Sequence, residues 1–284
     1  MDVSSSASFD YESLTHRSMW LRKELFDMAI PKKKGHVPSS YSTAEILITL
    51  FYGGFLKHNP QNPADPNRDR LIISKGHGAM AVYPILAERG FFSRSELGNF
   101  TRKEGILRQY ADNSIPGVEC VTGSLGHGIG FATGFGIAAK NDGRPSRSYV
   151  IMSDGECYEG SVTEAARITA QQGLDNVVGI IDRNGMCILG QTEKLVRLEP
   201  LEQHWESLGW YTQRINGHSY SALFNAFANT LTKNDGRPSM IVADTVKGKG
   251  ISPMENNINY HNKFPTPELT PQFRAYLDQP LDVK

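Results

Sequence analysis

Five short apolar runs alternate with helical stretches along most of this chain, and no other feature constrains the fold as much. Residues rich in β-branched and aromatic types fall at 71–74, 148–152, 177–182, 210–215 and 240–246. Among these runs, apolar residues return at helical spacing over 78–89, 125–140, 161–172, 201–208 and 221–233. Strands that are apolar throughout, separated by helices, predict an α/β fold in which a parallel sheet carries helices on both faces. An earlier helix is expected over 11–30, ended by Pro31. Ser42-Thr43-Ala44-Glu45 predicts a capping box that opens a helix running through Leu56.

A chain of 284 residues can bury a sizeable core. No internal repeat or long linker breaks the alternation, so one α/β domain is expected over 14–264. Residues 1–13 read as a flexible tail. Residues 265–284 hold four of the fifteen prolines and read as a C-terminal extension. Thirty Lys and Arg balance thirty Asp and Glu, so no net field draws nucleic acid or an anionic membrane. The basic run Lys32-Lys33-Lys34 is too short to alter that. No stretch approaches the roughly 18 apolar residues of a membrane span. The serine-rich first ten residues lack the apolar centre of a signal peptide. Cys120, Cys157 and Cys187 are too widely spaced for a disulfide framework or a zinc site. Reduced thiols in a cytoplasmic protein are expected.

In open parallel sheets, ligands sit at the carboxyl ends of the strands. One expected strand runs into Ser153-Asp154-Gly155-Glu156, and the next runs into Asp182-Arg183-Asn184-Gly185. Asp154 and Asn184, thirty positions apart, therefore end two successive parallel strands. A carboxylate and an amide oxygen facing one crevice suit a hard octahedral cation such as magnesium, which completes its shell with phosphates and water. Gly155 lets the backbone approach a phosphate, and the helix expected from Ser161 offers free N–H groups to it. Asp-Gly alone is a common turn; the specificity lies in the full unit of strand, Asp-Gly, helix, strand and Asn.

That unit resembles the thiamine diphosphate motif, with Ser153 in place of its usual first glycine. Four further segments resemble transketolases and fall in family order. They are Ser74-Lys75-Gly76-His77-Gly78 with Leu86-Ala87-Glu88-Arg89-Gly90, then Pro116-Gly117-Val118-Glu119 with Thr122-Gly123-Ser124-Leu125-Gly126. Glu159-Gly160 with Glu164-Ala165 follows, and then Tyr260-His261-Asn262-Lys263. The resemblance covers about residues 15–265. It implies the thiamine-diphosphate-binding fold and transfer of a two-carbon ketol unit from a ketose to an aldehyde. It places His77 and His261 at the cofactor diphosphate, with His261 also near the substrate, and His36 along the substrate channel, all three in catalytic roles. It sets Gly123, Ser124 and Leu125 against the aminopyrimidine, with Gly155, Glu156 and Glu159 also near the cofactor. Asp154, Asn184 and the Met186 carbonyl would bind the magnesium. His218 is expected to be structural, and His16, His58 and His204 to be surface groups.

Several positions depart from the family pattern. Tyr110 falls where a histidine usually helps to hold the sugar, so it is expected to contact substrate and to make donor or acceptor unusual. Pro38, Ser39, Tyr41 and His127 also replace common family residues. No residue matches the glutamate that activates the aminopyrimidine. The resemblance therefore implies a split enzyme, in which a second subunit supplies the pyrimidine-binding and C-terminal domains in an α2β2 assembly. The alternative readings are carboligation from a pyruvate-type donor and a non-catalytic scaffold subunit.

Overall fold

Strands made wholly of apolar residues need cover on both sides, and helices supply it. The computed structural model describes residues 10–284 apart from Asn234, Asp282 and Lys284. The chain opens with helices α1 (Tyr11–Ala29), α2 (Val37–Tyr41) and α3 (Ala44–Tyr52), then strand β1 (Arg70–Ile73). Helices α4 (Tyr83–Glu88) and α5 (Gly128–Asn141) lead to strand β2 (Ser148–Ser153), helix α6 (Gly160–Gln171) and strand β3 (Val177–Arg183). Short strands β4 (Met186–Cys187) and β5 (Gly190–Gln191) precede helices α7 (Thr192–Leu195) and α8 (Leu201–Ser207). Strand β6 (Tyr211–Asn216), helix α9 (Tyr220–Thr232), strand β7 (Ser239–Asp244) and helix α10 (Thr270–Tyr276) complete the order. Five strands form one parallel sheet in the order β1-β2-β3-β7-β6, and β4 pairs with β5 as a small antiparallel hairpin.

Alternate strand residues feed two apolar cores, one on each face of the sheet. Tyr149, Ile151, Val178, Ile180 and Ile241 pack with Leu21 and Leu25 of α1, Leu47 of α3, Ile85 of α4 and Phe227 of α9. Val150, Met152, Ile181, Met240 and Val242 pack with Ile129 of α5, Val162 and Ala166 of α6, and Trp205 of α8. Every residue of β2 and β3 is buried, which is why these strands read as continuous apolar runs. All five expected strands are present, with boundaries moved by two residues at most.

Three expectations need correction. The capping box at Ser42–Glu45 does not form. The Ser42 hydroxyl donates to Ser39 and Asp182, while the Glu45 carboxylate takes Arg22 and His218. Tertiary partners outcompete the local bonds, and the helix ends at Tyr52 rather than Leu56. The stretch expected as one helix over 78–89 splits into a 3-10 turn, Gly76–Val82, followed by α4. The helix expected over 11–30 forms as α1 from Tyr11, which shortens the tail expected over 1–13, and residues 1–9 lie outside the described residues. The C-terminal extension is anchored: α10 buries Phe273, and Arg274 pairs with Asp27 of α1 at 3.0 Å. No described helix is long and apolar enough to cross a membrane.

Candidate active site

The carboxyl ends of the strands are tied together before any ligand is considered. Lys75, just past β1, donates to the Ser39 carbonyl at 2.7 Å and pairs with Asp182 of β3, both side chains being fully buried. Asp182 also accepts from Ser42 Oγ at 2.7 Å, from Asn184 Nδ2 at 3.1 Å and from the Thr245 hydroxyl beyond β7. Burial pushes the Asp182 carboxyl up, but Lys75 and the hydrogen bonds overcome this and hold it below the usual range. Gly76 is required beside this hub, because a Cβ there would lie 2.0 Å from the Thr122 carbonyl oxygen.

Asp154 follows β2 and is fully buried. Its Oδ2 accepts from the Gly185 amide at 2.6 Å and from Arg183 Nη1 at 2.8 Å, while Oδ1 accepts from the Gly155 amide at 2.8 Å. Burial and the neighbouring Asp182 raise its pKa against the pull of Arg183. Asn184 Oδ1 accepts from the Met186 amide at 3.1 Å. Gly185, at φ +75°, makes the turn that brings Asn184 and Met186 beside Asp154. Asp154 and Asn184 thus lie at the ends of β2 and β3, tied to the turn at 185–186 by the Gly185 and Met186 amides. No trio drawn from His, Cys, Asp and Glu could hold a metal among the described residues. A cation here would need amide and carbonyl oxygens together with ligand oxygens, the donor set that magnesium takes.

Asn184, Met186 and Gly155, the neighbour of Asp154, border a cavity of about 400 Å³, within the range of a small-ligand pocket. His36, His77 and His261 line it with ring centroids 5.3 to 5.9 Å apart. His36 precedes α2, His77 sits in the turn after β1, and His261 follows the turn Ile258–Tyr260. The Nδ1 atoms of His36 and His261 are buried with no hydrogen-bond partner among the described residues. Lys247, buried in the loop after β7, lines the same cavity and donates to the Met186 carbonyl at 3.4 Å. Burial and Lys247 lower His36 to about 4, and burial, Lys247 and His36 lower His261 to about 3. His77 is held well below its ordinary value by burial and by Lys75. Burial and Lys75 push Lys247 down to about 8. Three neutral histidines and a lysine with a lowered pKa thus face one space, a pattern concentrated at functional sites.

Gly123, Leu125, Gly155 and Glu159 line the cavity, and Tyr110 stands at its mouth, 42% exposed and 6.1 Å from His36 between ring centroids. Ser124 is exposed and is not among the lining residues. Glu156, expected near the cofactor, points into the fold instead. Its carboxylate accepts from the Ser74 hydroxyl, the Gly126 amide at 2.8 Å and the Ser153 amide at 3.2 Å, fastening three loops together. His218 is structural, held by Glu45 at 2.7 Å and by the Val246 amide at 2.8 Å. Lys75, Asp182 and Lys247 had no role assigned from sequence. The strand-end rule that selected Asp154 and Asn184 would have selected them too. The hairpin residues Ile188 and Leu189 also line the cavity while remaining largely exposed. Three surface hollows are larger, one beside Phe26 and Pro271, one beside Arg167 and Gly209, and one beside Arg183, Arg214 and Asp244 that shares Asn184 and Met186 with this cavity; none of the three is lined by a histidine.

Comparison with known proteins fits this geometry. Residues 20–265 match the family described as "Transketolase, thiamine diphosphate binding domain". The chain is 37% identical over 257 residues to the 6-deoxy-6-sulfo-D-fructose transketolase subunit SqwG of Clostridium sp. (strain MSTE9), covering 90% of this chain and 93% of that protein. It is 35% identical to one of the subunits of the apulose-4-phosphate transketolase of Phocaeicola vulgatus, covering 90% of this chain and 91% of that one. The crystal structure of transketolase from Campylobacter jejuni superimposes with a TM-score of 0.84 at 28% identity, over 94% of this chain but only 46% of that one. By sequence, by fold and by the arrangement of its strand ends, the chain belongs to the transketolase family, in its thiamine diphosphate binding domain.

Proposed function

We propose that this chain holds thiamine diphosphate through a magnesium ion and serves as one subunit of a two-component transketolase, moving a two-carbon ketol unit from a ketose to an aldehyde. One observation carries the reading: His36, His77, His261 and Lys247 converge on a cavity that Asn184 and Met186 also line, and the Gly185 amide between those two donates to Asp154. The residues fit the cofactor. Three hard oxygen donors suit magnesium. Buried Lys247 and the unpartnered Nδ1 atoms of His36 and His261 suit an anionic diphosphate and the oxygens of a polyhydroxy substrate. When bound, thiamine diphosphate supplies the carbon nucleophile for ketol transfer. The chain's own part is to anchor the diphosphate, exclude water with buried walls, and offer neutral imidazoles that give or take a proton at substrate oxygens.

The partner is proposed to carry the pyrimidine-binding and C-terminal domains, with two copies of each chain. The relatives above are named as subunits, and this chain spans nearly their whole length but less than half of the Campylobacter transketolase. Ile188 and Leu189, 59% and 79% exposed at the cavity, offer apolar contact to a covering chain. Gly130 and Gly134 on α5 leave open space beside Phe131, which suits close packing of two copies. Residues 14–264 would form the cofactor domain and 265–284 an extension fixed to α1. Cys120, Cys157 and Cys187 are free thiols, in keeping with a cytoplasmic setting.

The test is to assay ketol transfer with magnesium, thiamine diphosphate and several sugar phosphates, using the chain alone and with a partner encoded beside it. Turnover is expected only for the pair, and Asp154→Ala and Asn184→Ala should each weaken cofactor binding. Turnover by the chain alone would refute the two-component reading. Cofactor affinity within about threefold of the parent, ~0.7 kcal/mol, in both variants would refute the metal site.

A further inference from the structure

We infer that Arg183 is a positioning residue that sets the affinity of the cation site by clasping Asp154 to the segment 192–199; the inference rests on the reading of Asp154 as a metal ligand. Arg183 is the last residue of β3 and is 8% exposed. Its planar fork reaches three carboxylates. Nη1 donates to Asp154 Oδ2 at 2.8 Å and to Thr192 Oγ1 at 2.8 Å, Nη2 to Glu193 Oε1 at 2.9 Å, and Nε to Glu199 Oε1 at 3.0 Å. Such a fork fixes direction as well as charge, which a lysine ammonium does not.

The consequence for Asp154 is geometric. Its Oδ2 is taken by Arg183 and the Gly185 amide, whereas Oδ1 meets only the adjacent Gly155 amide among the described residues. The carboxylate cannot rotate without losing bonds, and Oδ1 is the oxygen left to offer a cation. Partners that orient a ligand from behind in this way typically alter metal affinity ten- to hundredfold. Arg183 does not make the site cationic, because Glu193 and Glu199 accompany it and Glu199 is shared with Arg214 at 3.1 Å.

The same clasp closes a loop. Asn184 and Met186, the other two donors, begin the excursion that runs through β4 and β5 into α7. Arg183 stands before it and grips its far side at Thr192, Glu193 and Glu199, while the Tyr158 hydroxyl donates to Thr192 at 2.9 Å and Val196 at 2.8 Å. Order in 192–199 and the aim of Asp154 therefore share one side chain. Filling the cation site should steady that segment, and by linkage a steadier segment should raise cation affinity.

The test measures Mn²⁺ affinity of the full chain by calorimetry at saturating thiamine diphosphate, together with protease cleavage within 192–199 with and without Mn²⁺. Arg183→Met is expected to lower Mn²⁺ affinity at least tenfold and to abolish Mn²⁺ protection of the segment. Arg183→Lys keeps the charge but cannot span three carboxylates; it should lose several-fold in affinity and most of the protection, and it decides the matter if the methionine variant does not fold. Asp154→Ala is the control. Unchanged Mn²⁺ affinity in Asp154→Ala would overturn the metal assignment and this inference with it. Weak binding by Asp154→Ala, with every folded Arg183 variant within about threefold of the parent, would overturn this inference alone. So would a segment loosened by Arg183→Lys without any change in affinity.

Discussion

The buried ammonium of Lys247 lies 3.4 Å from the carbonyl oxygen of Met186. That carbonyl is one of the three proposed cation donors, so the ammonium flanks the place where diphosphate oxygens would gather. Burial and Lys75 have already pushed Lys247 down to about 8. A cation held in such surroundings gains greatly from an anionic ligand. Lys247→Met, which keeps the length and removes the charge, should lower thiamine diphosphate affinity at least about tenfold, ~1.4 kcal/mol. The melting temperature of the ligand-free chain should hold or rise, since a desolvated charge is relieved. Calorimetric titration with thiamine diphosphate and with inorganic pyrophosphate checks this; unchanged affinity for both ligands would remove Lys247 from the site.

His77 and His261 should separate sharply from His204. The first two line the cavity, whereas His204 lies on α8 with its ring 6.3 Å from that of Trp205. Replacing either cavity histidine by Ala is expected to lower turnover by roughly 10²–10⁴-fold, the range of positioned proton-transfer groups. His204→Ala should turn over like the parent. Steady-state kinetics of the assembled enzyme decide the matter, and near-normal rates in all three variants would return His77 and His261 to structural roles.

The three cavity histidines also predict an acid-side loss of stability. Burial first, and then Lys247 or Lys75, lowers His36 to about 4, His261 to about 3 and His77 well below its ordinary value. In the unfolded chain each takes up its proton near 6.5. Between about 6.5 and 4 the unfolded state therefore binds more protons than the folded state, so stability falls as pH falls through that window. The slope approaches about 1.4 kcal/mol per pH unit for each histidine kept neutral. Urea melts at pH 7.5, 6.5, 5.5 and 4.5 should show it, with a shallower dependence in His36→Asn. Identical slopes in parent and variant would show that His36 does not titrate in this way.

The centre of the sheet was legible because burial on both faces leaves β2, β3 and β7 as largely apolar runs between turn residues, whereas edge strand β6 is polar and only partly buried. The placements of Asp154 and Asn184 were legible for a related reason: a residue's position at a strand end follows from the strand itself. Side-chain direction was not. Glu156 shares a turn with Asp154, yet its carboxylate is consumed by Ser74, Gly126 and Ser153, which lie up to 82 positions away in the chain. The capping box at Ser42–Glu45 failed in the same manner, because Arg22, His218 and Asp182 compete for its side chains. Arg183 gave no sequence signal, since its three acidic partners meet only once the 192–199 segment folds back.

Tyr110 should tune substrate choice rather than cofactor binding. It stands at the mouth of the cavity, and a Cβ built on Gly123 would lie 3.9 Å from its side chain. Its ring lies 6.1 Å from that of His36, while Asp154 is fully buried at the strand ends. A change at Tyr110 thus reaches a molecule entering the cavity without touching the cation donors. Tyr110→His exchanges a phenol for a smaller ring that can carry a proton. Tyr110→Phe keeps the shape and removes only the hydroxyl. If the hydroxyl reads a substrate oxygen, both variants should shift the ratio of kcat/KM between two ketose donors by about tenfold or more, the scale of a lost polar contact. If the ring only narrows the mouth, Tyr110→Phe should behave as the parent and Tyr110→His alone should change the ratio. In either case thiamine diphosphate affinity should stay within about threefold. A fall in cofactor affinity with no change in donor ratio would place Tyr110 in the cofactor site and refute its assignment to substrate.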